Sequence, residues 1–139
     1  MPLRCGAARS NITPWLGTQI AGSFSYRASE DVADELWAKA IVLENDGTSI
    51  AIVVCDVIAA VKEDLDRAKD RAAELTGISP DHIFISCTHT HSGPATLDIL
   101  GVEREDEYMD WAVKKIGDAV KLAQNRLQPA SFAHNSGSC

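Results

Sequence analysis

The residues of this chain best suited to chemistry crowd into one stretch, Cys87-Thr88-His89-Thr90-His91-Ser92-Gly93-Pro94. It begins where an apolar, β-branched run, His82-Ile83-Phe84-Ile85-Ser86-Cys87, gives out. In an extended chain, side chains two apart project from the same face, so His89 and His91 are expected to point together. Two neutral imidazoles on one face suit zinc, which in hydrolytic sites takes three protein ligands and leaves a fourth position for water. The same spacing fits two surface histidines, or one satisfied by hydrogen bonds, and the pair alone does not choose. Gly93-Pro94 turns the chain away and lets backbone approach the site closely.

Other groups are candidates by position. Asp56 ends the apolar run Val53-Val54-Cys55. If that strand lies parallel to the one before His89, the carboxylate shares the histidines' end of the sheet, where it could orient an imidazole or add a ligand. Capping the next helix is the competing role for Asp56. Arg27, in the loop Gly22-Ser23-Phe24-Ser25-Tyr26-Arg27, could offer its guanidinium to a substrate carbonyl or carboxylate, or be solvated. Ser92 and Gly22 add a hydroxyl and an open backbone to the substrate side. Cys87 shares the alternation of His89 and His91, so a Cys–His nucleophile is considered. A thiolate needs exposure and a lowered pKa, and the apolar run favours a buried structural thiol instead.

The elements that must position these groups follow from periodicity. Leu36–Leu43 and Ser49–Cys55 are β-rich runs around Asn45-Asp46-Gly47, which predicts a hairpin. The second run lacks polar alternation, so a central strand covered on both faces is expected. Val61 to Leu75 is helical in period and Gly77 supplies its stop. A strand at 82–87 after this helix predicts a right-handed parallel crossover. A second helix is expected over Arg104–Arg126, a further strand near Ser131–His134, and an edge strand over Cys5–Thr13. The sum is an α/β fold with a mixed sheet, at least one right-handed β-α-β crossover and two main helices.

Composition narrows the partners. The 139 residues carry 13 Lys and Arg against 20 Asp and Glu, a formal charge of −7, which excludes a nucleic-acid surface. The four cysteines form no C-x-x-C pair and so no zinc knuckle or thioredoxin-type motif. No apolar window reaches the length of a membrane span, and the first residues lack the apolar core of a secretory signal, so a cytoplasmic location is expected. No lipid-docking face is indicated, and contact with a membrane surface is left open.

Ser10-Asn11-Ile12-Thr13-Pro14, Gly17, Ala21-Gly22, Asp34 to Leu43, Cys55-Asp56 and above all Thr88 to Pro94 together resemble the opening section of the neutral/alkaline, non-lysosomal ceramidases. The resemblance runs in order from Arg4 to about Pro129. It implies a zinc-dependent amidase that cleaves the N-acyl bond of ceramide-like lipids, giving a fatty acid and a sphingoid base. His89 would be a zinc ligand and His91 would contact substrate or the transition-state oxygen. The remaining ligands, another histidine, a Glu and a Tyr, are implied to come from later sequence. Residues 1–139 are therefore expected to be the N-terminal portion of such a catalytic domain. Ala33 stands where these enzymes often carry a histidine. Two alternatives remain: a noncatalytic α/β binding module, and a related metallohydrolase of a smaller amide or ester.

Overall fold

The computed structural model describes residues 2–138. Its frame is a five-stranded mixed sheet built from β1 (Arg4–Asn11), β2 (Trp37–Asn45), β3 (Thr48–Cys55), β4 (Ile83–Cys87) and β5 (Gln128–Pro129), in the order β4-β3-β2-β1-β5. β2 and β3 are antiparallel and joined by Asp46-Gly47, both with positive φ. That is the two-residue turn whose twist matches the strands, and an Asp-Gly pair tolerates it. α1 (Lys62–Thr76) then carries the chain over to β4, which pairs in parallel with β3. The expected hairpin and crossover are both present. Gly77 closes α1 in the left-handed conformation, its N–H bonded to Ala73 O at 2.8 Å.

α2 (Asp106–Gln124) lies across β1, β2 and β3, and α1 packs against α2. The core sits between the helices and one face of the sheet, with Val42, Val53, Cys55, Tyr108 and Val120 almost wholly buried. Tyr108 donates its hydroxyl to Ile12 O at 2.7 Å, tying α2 to the chain just past β1. Burial pushes the Tyr108 phenol well above its usual range. Cys55 is buried as expected, and burial, helped by Cys87 and Asp56, pushes its thiol up to about 12.

Three sequence expectations need correction. β3 is interior but not covered on both faces: Ile50 and Ile52, with Ile41 of β2 and Phe84 of β4, lie on the open face, Phe84 at 64% exposure. Both helices occupy the opposite side, so the missing polar alternation did not report a second covering layer. β1 is not at the edge, because the chain leaving α2 returns beside it and pairs Cys5 with Gln128 and Arg4 with Pro129. The final strand is accordingly this two-residue β5; residues 131–134 form no strand and Phe132 is 77% exposed.

The raised thiol of Cys55 has a pH signature. The folded state holds a proton that the unfolded chain releases above its ordinary value of 9.0, so this contribution is intact below pH 9 and lost as pH climbs toward about 12. Urea midpoints are expected to fall across that window, and Cys55→Ala to flatten the fall. An equally steep fall in the variant would assign it to other groups, Tyr108 first.

Candidate functional site

β4 ends at Cys87, and the chain does not continue extended. Thr88 N–H still bonds Cys55 O at 2.9 Å, but His89 takes a left-handed backbone, φ 62°. This conformation is uncommon outside glycine and concentrates where function demands it. His89 and His91 do converge, with ring centroids 4.9 Å apart and planes at 74°. The kink, not strand alternation, brings them together.

Each ring is fixed by a backbone carbonyl. His89 Nδ1 lies 2.8 Å from Ile58 O, and His91 Nδ1 lies 3.0 Å from Gly22 O. A carbonyl oxygen only accepts, so the proton of each neutral imidazole sits on Nδ1 and the lone pair on Nε2. Two Nε2 atoms free to bind a metal or accept a proton therefore stand at the carboxyl end of β4, where open α/β sheets place their ligands. A backbone carbonyl on the far nitrogen is also the usual way that metal-binding imidazoles are oriented.

The loop before β2 completes the wall. Ala21 N–H bonds Gly93 O at 3.0 Å, and Ala95 N–H bonds Gln19 O at 2.8 Å, so residues 19–22 run along 91–95. Gly22, φ 100°, lies so close to His91 that a Cβ there would fall 2.5 Å from the His91 Cβ. Arg27 donates from Nη2 to His91 O at 2.7 Å, so it holds the histidine's backbone. Ser92 is exposed, and its N–H bonds Thr90 Oγ1 at 3.2 Å.

Thr90 and Ser92 line a cleft of about 430 Å³ together with Arg27, Ser29, Leu36 and Pro94. Neither histidine, nor Gly22 or Asp56, is among the residues lining it. The cleft and the histidine pair thus share the 88–94 segment. Ala33 is in the cleft wall.

Asp56 lies just past the end of β3, as its register with β4 predicts, but turns toward β2. Its carboxylate accepts from Trp37 N–H at 3.0 Å and faces Lys39 Nζ at 3.1 Å. The helix cap is not its role, since Val61 is the N-cap of α1 and no side chain caps it. Cys87 is half-buried and burial raises its thiol, which disfavours the thiolate that a nucleophile requires. His82 Nδ1 lies 3.2 Å from Ser49 O at the other end of β4, and His134 is exposed past β5.

Sequence reasoning missed the support behind His89. Asp64, in the first turn of α1, is 3% exposed and receives two N–H groups of Arg104. Thr96, fully buried, donates to Ala59 O at 2.6 Å. One signal was available: Asp64 stands four residues before Ala68 and eight before Ala72, on the buried stripe of α1. Nothing in the sequence pointed to Arg104 as its partner.

Solved structures show where this fold recurs. Neutral ceramidase from Pseudomonas aeruginosa matches 93% of this chain with a TM-score of 0.81 at 23% identity. The fold is that of neutral ceramidase. A second structure, a ceramidase complexed with C2, matches 93% of the chain with a TM-score of 0.71, also at 23% identity. The chain spans 22% of the length of each of these ceramidase chains. No family model and no curated protein matches the sequence. The likeness to neutral ceramidase is one of fold, so the chemistry has to be built from this chain's own residues.

Among the described residues, no group of three or more His, Cys, Asp or Glu is placed to hold a metal ion. His89 and His91 offer two nitrogen donors, which fit part of a zinc site and not a whole one. No helix among them is long and apolar enough to cross a membrane.

Proposed function

We propose that this chain is part of the catalytic domain of a zinc-dependent hydrolase of ceramidase type, cleaving the N-acyl amide bond of ceramide-like lipids into a fatty acid and a sphingoid base. The observation that carries the reading is the pair of imidazoles, each with Nδ1 on a backbone carbonyl and Nε2 free, at the carboxyl end of β4 in a neutral-ceramidase fold. His89 would hold the metal. Zinc, when bound, polarises a carbonyl oxygen and lowers the pKa of a bound water.

The chain's own residues have defined parts in this reading. His91, set by Gly22 O and by Arg27 on its backbone, accepts a proton at its free Nε2 and, then protonated on both nitrogens, donates from Nε2 to the substrate or to the oxygen that gains charge in the transition state. Arg27 and Ser92 present polar groups to the cleft beside Leu36 and Pro94, a mixed lining suited to the polar end of an amphiphile. Asp56 acts through the strand ends it joins, holding the β2 and β3 termini next to the histidine segment. A lipid amide is the partner this reading implies.

In a longer parent chain, His89→Ala is expected to abolish both bound zinc and N-acyl hydrolysis, measured by metal analysis and fatty-acid release. Undiminished hydrolysis in that variant would sink the reading. For the 139-residue chain by itself, zinc should be lost on dialysis and turnover should stay near background, because one or two donors leave the site open. Stoichiometric, tightly held zinc with robust hydrolysis would contradict this.

The alternative reading is a noncatalytic α/β binding module. A longer parent that neither retains zinc nor hydrolyses amides would support it. Hydrolysis of short amides or esters in preference to ceramide, in a substrate panel, would point instead to a related metallohydrolase.

A further inference from the structure

We propose that Thr96 is a positioning residue for His89, and that the ion pair of Arg104 with the buried Asp64 holds Thr96 in place to do it. The inference deepens the reading of His89 as a donor at a hydrolytic site and rests on that reading.

Residues 56–60 leave β3 with neither helix nor strand to fix them. Three consecutive carbonyls of this stretch accept bonds from elsewhere. Val57 O takes the His89 N–H at 3.1 Å, Ile58 O takes His89 Nδ1 at 2.8 Å, and Ala59 O takes the Thr96 hydroxyl at 2.6 Å. The outer two belong to the peptides on either side of the Ile58–Ala59 peptide. Bonds at both flanks set the tilt of the middle one, and that tilt aims Ile58 O at the imidazole.

His89 sits in a sparsely populated conformation that persists only where surrounding contacts impose it. Thr96 is fully buried, and its hydroxyl has a single proton to give, which goes to Ala59 O.

Thr96 is itself held. Arg104 Nη1 donates to Thr96 O at 3.2 Å, and the same guanidinium grips both carboxylate oxygens of Asp64, Nη2 reaching Oδ1 at 3.0 Å. Arg104 lies between the histidine loop and α2, while Asp64 belongs to α1. The geometry therefore runs from α1 through Arg104, Thr96 and the 57–59 carbonyls to His89 Nδ1. Its consequence is chemical. If Ile58 O swings away, the proton is free to move to Nε2, the nitrogen that otherwise carries the lone pair, and His89 loses its donor atom.

The test reads the tautomer directly, without metal or activity. The 139-residue chain is labelled with imidazole ¹⁵N, and two-bond proton–nitrogen correlations are recorded at about pH 8.5, above the ordinary histidine range. In the unaltered chain His89 should be almost wholly the Nδ1–H form. Thr96→Val keeps the branched shape and removes the donor, and should lower the His89 ratio of Nδ1–H to Nε2–H roughly fivefold. Thr96→Ser should restore it, and the His82 signals should not move. Should the valine variant fail to fold, Arg104→Lys, which gives up the two-pronged grip on Asp64, is expected to lower the same ratio.

An Nε2–H form of His89 in the unaltered chain would overturn the proposal. So would an unchanged ratio in a folded Thr96→Val or Arg104→Lys chain, even if a longer parent hydrolyses amides. A coupled tautomer in a parent that neither binds zinc nor hydrolyses amides would leave the role of Thr96 standing and end the hydrolase reading.

Discussion

Gly6→Ala is expected to destabilise the fold by about 3 kcal/mol or more, near the upper end of what overpacking costs and a large share of a typical domain's stability. Gly6 lies in β1 where the end of α2 crosses it. A Cβ at this position would fall within the van der Waals shell of Ala123 O, and 3.0 Å from both Arg126 C and Leu127 N. All three are backbone atoms, so no side chain can swing aside. Either the last turn of α2 lifts from the sheet or β1 bends away, and each loses buried contacts around Ala123 and Val120. Gly47→Ala is the control: its φ is 79°, but open space surrounds it, so it should cost only about 1–2 kcal/mol of left-handed backbone strain. Urea unfolding followed by circular dichroism separates the two. A Gly6→Ala loss no greater than that of Gly47→Ala would show that α2 does not bear on β1 as closely as the geometry requires.

The same glycine shows why β1 was only partly legible. Cys5-Gly6-Ala7-Ala8 looks like a weak strand, because small residues supply little β propensity and no clear alternation. Gly6 is small because the end of α2 passes close overhead, a tertiary fact that no local pattern encodes. The elements that were legible announce themselves locally: the Asp46-Gly47 turn between two apolar runs, the helical stripe that ends at Gly77, and the β-branched run before Cys87. β3 misled for the opposite reason. Ile50 and Ile52 are as apolar as Ala51 and Val53, so hydrophobicity alone could not say that one set faces solvent.

At the site, residue types and spacing pointed to His89 and His91 without their geometry. Alternation along a strand predicts convergence, and convergence is found, but through a left-handed residue at 89. What fixes the rings lies far away in sequence: Ile58 for one and Gly22 for the other. Backbone carbonyls leave no residue signature, so the tautomers that make both Nε2 atoms available were invisible until the fold was known. Asp56 shows the converse. Its place past the end of β3 followed from the pattern, while the direction of its carboxylate was decided by Trp37 N–H and Lys39 on the neighbouring strand.

Gly22→Ala should displace His91 and, in a longer parent chain, cut N-acyl hydrolysis by about a hundredfold or more, the scale expected when a reacting group moves by an ångström. Two effects combine at this position. The backbone φ of 100° disfavours any side chain, and the added Cβ would lie 2.5 Å from His91 Cβ and Cγ and 2.8 Å from its Cα. Those atoms are the root of the imidazole, which cannot rotate out of the way as a distant side-chain end could. The segment must separate from the 91–95 run, and the His91 Nδ1 to Gly22 O bond breaks with it. The Ile58 O bond of His89 lies on the other side and should survive. The expected signature is therefore asymmetric: ring ¹⁵N signals of His91 move and its Nδ1–H form is lost, those of His89 stay near their original positions, and bound zinc falls less than turnover. A Gly22→Ala parent with full hydrolysis and an unmoved His91 ring would remove Gly22 and His91 from the catalytic reading together, because the contact that joins them cannot outlast the substitution.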